Sequence, residues 1–351
     1  MIELLREWYG RHFTDPQQII LLLLIALGLG LALLVGDILA PLLVSVLLAY
    51  ILEGLIRGLE GARVPRLFAF LLVYVLFVTG LLLALLRLVP VLSEQVVDLA
   101  ARLPSMLAVG QRWVEALPEL YPELVNPTQV EQILAAVRTE VLAFGEKVIR
   151  FSLDTVVDVL SVVVYAVVVP ILVFFLLKDK RHILDWAKTY LPAPQSLSSR
   201  VWNEMDLKVS QYLRGKLIEI GVVWVVTFFA FALFGLQYAL LLSFLVGLSV
   251  IIPYVGAVVV TVPVLLVGAF QWGLSPEFAY LALTYLVIQF LDGNLLVPLL
   301  FSEAVDLHPA AILAAILIFG GLWGVWGVLF AIPLASLIDV VLRSWPRASP
   351  G

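Results

Sequence analysis

The sequence predicts an all-α, polytopic membrane protein of about eight transmembrane helices, and three observations predict it. Of its 351 residues 63% are hydrophobic and only 13% charged, with a mean hydropathy of +1.10, whereas a water-facing domain carries about a quarter charged residues. Apolar runs recur at the length a hydrocarbon core roughly 30 Å thick demands, about 20 residues of helix. The interruptions between them are proline, glycine and charge. Lipid cannot satisfy backbone amides and carbonyls, so segments of this length and composition are read as helices that close their own hydrogen bonds.

Taken in order, Ile19–Val35 and Ile38–Ile56 are two runs separated by Gly36-Asp37, which predicts a tight antiparallel hairpin. The first run follows a mixed-charge segment and lacks a small-residue cleavage site, so it reads as a span rather than a removable signal. Leu67–Val89 is a third span, completing an N-terminal block over residues 1–89. Residues 90–150 form a polar excursion with eight acids and five bases. Apolar residues recur there at three- and four-residue spacing (Val91, Leu92, Val96, Leu99, Leu103), which predicts an amphipathic helix stopped by Pro104 and a second one over Val130–Ile149. This segment reads as surface-lying helices more than as a ligand-binding domain.

Thr155–Leu177, within residues 151–177, is the fourth span. Residues 178–216 are a second amphipathic segment, punctuated by Pro192 and Pro194, and the block 217–345 holds four irregular spans. Leu217–Phe234 is regular enough. Tyr238–Phe270 is too long for one straight helix and carries Pro253 and Gly256, Phe278–Leu300 contains Asp292-Gly293-Asn294 and Pro298, and Pro309–Leu342 is broken at Gly320, Gly321, Gly324 and Gly327.

Short cytoplasmic loops are enriched in Lys and Arg. The segment Lys178–Lys216 holds eight bases against four acids, which places it in the cytoplasm and, with eight spans, places both termini there too. A bacterial cytoplasmic membrane is the expected location. The same scattering of bases, with a net charge of −5, excludes a nucleic-acid partner, since phosphate contacts need clustered cations. With no cysteine there is no thiolate metal site or thiol nucleophile. No phosphate-binding Gly-Lys-Ser/Thr loop, His-Glu-x-x-His helix, Gly-x-Ser-x-Gly elbow or Gly-x-Gly-Asp is present, so neither an enzyme nor a nucleotide-driven pump is expected, and no cofactor or metal.

Breaks in membrane helices are tolerated where protein or water surrounds them, and here they cluster in the C-terminal half. Pro253, Gly256, Gly293, Asn294, Pro298, Gly324 and Gly327 are therefore candidates for a transport pathway. The bland alternative is close helix packing and simple kinking. Asp292 is the sharpest single candidate, because a carboxylate at a helix centre costs roughly 2.5–3.5 kcal/mol on insertion scales. Gln289 lies one turn earlier, and unwinding at Gly293 would free amides to bind the carboxylate; helix capping at an interface is the competing role. Glu219 is deep enough in its run to be a proton or cation site, while Lys216, three residues before it on the same face, reads as a solvated ion pair.

Several of these residues fall in motifs. Arg214-Gly215-Lys216 with Glu219, Ile252-Pro253-Tyr254-Val255-Gly256-Ala257 with Pro263, and Gln289 with Leu291-Asp292-Gly293-Asn294 and Val297-Pro298 are three of them. Ser302-Glu303-Ala304-Val305 with Leu307-His308-Pro309, Gly320-Gly321-Leu322-Trp323-Gly324, Ile332-Pro333-Leu334-Ala335 and the Pro170–Lys178 span complete the set. Together they resemble the AI-2E family of membrane permeases, and most closely its PerM branch. Many members of the wider family have Glu where this chain has Asp292. The resemblance implies a multi-span, homo-oligomeric inner-membrane protein; some relatives are assigned to autoinducer-2 export and others to sodium–proton exchange.

The expected function is a secondary transporter of a small solute, with membrane lipid and the solute or a cation as partners. A sodium(lithium)/proton antiporter and a non-transporting oligomeric scaffold are the alternatives.

Overall fold

The computed structural model describes residues 16–115, 159–190, 196–301 and 307–344, together with residues 135, 139, 143 and 145. Every regular element among them is helical. In order these are α1 (Pro16–Gly61), α2 (Arg66–Leu83), α3 (Val89–Glu115), α4 (Val159–Lys178), α5 (Lys180–Tyr190), α6 (Ser196–Phe234), α7 (Ala239–Ser249), α8 (Val255–Trp272), α9 (Pro276–Leu291), α10 (Val297–Phe301) and α11 (Pro309–Ser344). Most of the excursion after residue 115, including most of the expected helix Val130–Ile149, lies outside the described residues.

Among the described residues five helices are long and apolar enough to cross a membrane: Ala40–Gly61, Arg66–Gln111, Glu204–Phe234, Val255–Trp272 and Pro276–Phe301. Four shorter apolar helices, Tyr165–Lys178, Ala239–Ser249, Pro309–Gly324 and Trp326–Val341, accompany them. Their outward faces are oily: Leu76 is 69% exposed and Leu317 77%. Water does not tolerate contiguous apolar surface on this scale, whereas acyl chains do.

The expected hairpin at Gly36-Asp37 does not form; α1 runs unbroken from Pro16 to Gly61 with Pro41 inside it. A helical glycine costs only about 1 kcal/mol against alanine. Opening several backbone hydrogen bonds in an apolar segment costs several kcal/mol each, so a Gly-Asp pair alone is too weak a breaker.

Proline is likewise accommodated rather than obeyed. α2 passes into α3 through a π-helical turn at Ala84–Leu88, where the Val89 N–H reaches the Ala84 carbonyl, five residues back. Pro90 follows, and its ring would crowd the carbonyl of Leu86 in a regular helix; the wider turn makes room. Pro104, expected to stop the helix, sits within α3. Its neighbours Leu99, Leu103 and Met106 pack into a buried core, which holds the helix through the missing bond.

The C-terminal interruptions take two forms. At Asp292–Leu296 the chain keeps its helical path through a second π turn between α9 and α10, so in place of the expected unwinding at Gly293 there is a bulge that ends just before Pro298. At Pro253–Gly256, by contrast, α7 and α8 are separate helices, and Tyr254 sits at φ 64°. α11 bends at Trp323 (φ −135°) and Gly324 (φ 57°, ψ −136°). A Cβ at Gly327 would collide with the Phe319 carbonyl, a residue that would lie about 12 Å away along a straight helix. The chain therefore folds back here, giving two arms, Pro309–Gly324 and Trp326–Val341, each about 24 Å long and shorter than a hydrocarbon core of roughly 30 Å.

The chain divides into two compact units, residues 1–76, 165–217 and 297–351 in the first and 77–164 with 218–296 in the second. In the first, Tyr212, Leu213, Ile51, Phe301 and Ile332 form a buried cluster, and Phe174 meets the rings of Phe70 and Tyr74 at 5.6 and 5.3 Å between centroids. In the second, Val223, Phe231, Leu242, Val246, Val264, Leu281 and Tyr285 form the core. Small residues set its helix crossings. Gly247 lies against the Ile220 carbonyl and Trp224, and Gly268 against Leu281, the close approach that membrane helices without a hydrophobic driving force depend on.

Candidate functional site

In the second unit a hydrogen-bond chain joins α8 to α9. Thr261 Oγ1 donates to the Ala257 carbonyl at 2.7 Å and lies 3.0 Å from the Tyr285 hydroxyl, which accepts from Gln289 Nε2 at 2.6 Å. A carbonyl only accepts, so the Thr261 proton is committed to Ala257 and Tyr285 donates to Thr261. The phenol's lone pairs are left for the Gln289 amide nitrogen. Tyr285 is only 1% exposed, and this accounting fixes the amide of Gln289 in one orientation at a half-buried position. Its helix continues one turn on to Asp292, half-buried at the start of the π turn, with Gly293 and Asn294 exposed beside it. Asn294 Nδ2 donates back to the Phe290 carbonyl at 2.9 Å, holding the bulge.

Glu219 is 2% exposed on α6, and Thr227, two turns along the same helix, is fully buried. An ionisable group buried among apolar helices is costly unless it serves a purpose. Pro253 and Gly256 form the α7–α8 junction, where a side chain on Gly256 would overlap the Ser249 carbonyl. At the rim of this unit Tyr238 donates to Asp98 at 2.6 Å. Burial, and then that bond, push the Tyr238 phenol up to about 12, so it remains a donor throughout the physiological range.

The first unit holds Pro298, exposed on α10, and Gly324 and Gly327 at the α11 fold-back. It also holds the Arg214-Gly215-Lys216 motif. Lys216 is not the solvated cation expected of it: it is 7% exposed and lies 5.0 Å from the centre of the Phe301 ring, within reach of a cation–π attraction. Gly215 faces the same ring and the Leu300 carbonyl, and Arg214 lies against Gly54 and donates to Ser210. Tyr50 donates to the Asp206 carboxylate and backbone, so α1 and α6 are tied along a polar seam.

The sequence candidates thus fall in two groups: Glu219, Pro253, Gly256, Gln289, Asp292, Gly293 and Asn294 in the second unit, and Pro298, Gly324 and Gly327 in the first. Three polar residues escaped the sequence reading. Tyr285 lies four residues before Gln289 and Thr261 sits alone in a valine-rich run, the spacing that would have exposed the chain. Glu53, a lone carboxylate in the second apolar run, is 6% exposed and carries the same signal that singled out Asp292.

Residues 19–347 match the family described as AI-2E family transporter. This chain belongs to the AI-2E transporter family. A relative from Escherichia coli K12, named "Putative permease PerM", is 45% identical over 346 residues, covering 99% of this chain and 98% of its own. Bacillus subtilis 168 has a relative named "Putative transport protein YrrI", 28% identical over 330 residues with 90% and 88% covered. A second Escherichia coli K12 relative, "Putative transport protein YhhT", is 26% identical over 316 residues. AI-2E membership and the apolar helices make this a multi-pass membrane protein of a transport family.

Proposed function

We propose that this AI-2E protein is a secondary transporter that moves a small solute across the bacterial cytoplasmic membrane, coupled to a proton or cation, with Glu219 and Asp292 as the coupling groups. The observation that carries the reading is a glutamate only 2% exposed in an apolar membrane helix, a placement that costs free energy and marks ion and proton pathways in membrane proteins. The tight junction at Pro253–Gly256, the π turn at Asp292–Leu296 and the α11 fold-back at Gly324 and Gly327 supply the interrupted helices from which pathways are built. Gln289 and Asn294 flank Asp292 in sequence, and Pro298 follows the bulge. Homo-oligomeric assembly, cytoplasmic termini and the division into blocks at residues 89, 150, 177, 216 and 345 belong to the same reading.

Proteoliposomes loaded with an unfractionated small-metabolite extract, with efflux followed by mass spectrometry under an imposed proton gradient, test it. Efflux of at least one solute is expected, and Glu219→Gln and Asp292→Asn are expected to abolish its dependence on the gradient. If both variants transport with unchanged pH dependence, those roles are wrong. Sodium- or lithium-driven proton movement without solute efflux would favour the antiporter, and no flux with a stable co-purifying partner would favour the scaffold.

A further inference from the structure

Three cations converge on one oxygen of Glu53. Lys180 Nζ is 3.3 Å, Arg66 Nη2 3.5 Å and Arg57 Nε 3.6 Å from Glu53 Oε1, while Oε2 is buried with no hydrogen-bond partner among the described residues. The Glu53 side chain is 8% exposed. Arg66 also reaches Glu60 at 3.6 Å.

These separations are long for charge-assisted bonds, which close to about 2.7–2.9 Å. One oxygen cannot satisfy two guanidinium forks and an ammonium, which carry five, five and three donors. The cations therefore keep donor capacity for another anion. The formal count agrees: residues 53–66 and 178–181 hold Arg57, Arg63, Arg66, Lys178, Lys180 and Arg181 against Glu53, Glu60 and Asp179, a surplus of three positive charges (6 − 3).

Helix polarity adds to the surplus. Arg66 opens α2 and Lys180 opens α5, placing cations at the positive ends of two helix dipoles, where anions are favoured instead. Glu53 offsets only part of this. Directly after Arg66 on α2, Leu67 and Phe68 are 64% exposed and Leu72 59%, an apolar surface that starts where the cations stop. Charge on one side and oil on the other define an amphiphile of the complementary kind.

We propose that Arg57, Arg66 and Lys180 form a binding site for the phosphate of an anionic membrane phospholipid, whose acyl chains lie along Leu67, Phe68 and Leu72. Glu53 holds the three cations in place and competes with the lipid phosphate for them. This gives the substitutions opposite signs: losing a cation weakens binding, and losing Glu53 strengthens it.

The test uses the purified full chain in detergent, titrated with phosphatidylglycerol or phosphatidylcholine and read by native mass spectrometry. Phosphatidylglycerol is expected to bind about tenfold more tightly than phosphatidylcholine, a difference of about 1.4 kcal/mol. Arg66→Gln and Lys180→Gln are expected to erase that preference by weakening phosphatidylglycerol binding more than phosphatidylcholine binding, and Glu53→Gln to raise phosphatidylglycerol affinity. Equal affinity for the two lipids, a preference that survives in Lys180→Gln, or weaker phosphatidylglycerol binding in Glu53→Gln would overturn the site. Inorganic phosphate is expected not to displace phosphatidylglycerol at equal concentration; displacement would show a free-phosphate site and overturn the lipid assignment.

Discussion

Tyr285→Phe isolates the hydrogen-bond chain between α8 and α9, because it removes one buried hydroxyl and conserves the ring that packs in the core. Two bonds are lost, the 3.0 Å contact with Thr261 across the helices and the 2.6 Å bond from Gln289 along α9. Interhelical bonds in membrane proteins average about 0.6 kcal/mol and reach about 1.7. The bond from Gln289 adds about 0.5–1.5 kcal/mol, and Thr261 keeps its bond to Ala257, so it adds no further penalty. The expected loss is therefore about 1–3 kcal/mol, measured as equilibrium unfolding in mixed micelles and followed by the fluorescence of the nine tryptophans. Pairing Tyr285→Phe with Thr261→Val should show about 0.6 kcal/mol of coupling. A loss that vanishes, or a coupling of zero, would mean that the hydroxyl is not bonded as described. A loss well beyond about 3 kcal/mol would mean that the residue does more than hold these two bonds.

Other outcomes follow from close approaches. Gly247→Ala places a Cβ 2.7 Å from Trp224 Cβ and 3.0 Å from the Ile220 carbonyl, and neither neighbour is the free end of a flexible side chain. It should cost about 1–3 kcal/mol, and because Ile220 adjoins Glu219 it should also shift the pH profile of transport; an unchanged melting profile would contradict the tight crossing. Gly215→Ala meets Phe301 Cε1 at 2.8 Å and should destabilise the chain, while Phe301→Leu should reduce that penalty in the double variant; strict additivity in unfolding experiments would show that the two do not touch. Gly327→Val should open the α11 fold-back, seen as a fluorescence change at Trp323 and Trp326, and should abolish transport without removing any charged group; wild-type spectra and flux would rule out the turn.

Much of this was legible in the residues themselves. Helices and lipid follow from apolar runs and scarce charge, a local property that any folding must respect. The Pro253–Gly256 junction was legible because several breakers coincide there. Gly36-Asp37 and Pro104 misled because each is a single weak interruption, outweighed by the backbone bonds and packing of the helix around it. Asp292 was recognised as a candidate, but its π turn was not, since the choice between unwinding and bulging depends on how the flanking turns are held.

Sequence alone determined the class of the molecule, the apolar segments, the lack of nucleotide and zinc motifs, and the short list of polar residues that lipid would penalise. Tertiary structure decided which of those residues share partners: Gln289 and Tyr285 with Thr261, Glu53 with Arg66 and Lys180 of other helices, Lys216 with an aromatic ring. The physical reason is that hydrophobicity and helix propensity are carried by each residue and its near neighbours. A hydrogen bond or charge contact between helices depends on which faces meet, and that is settled only when the helices pack.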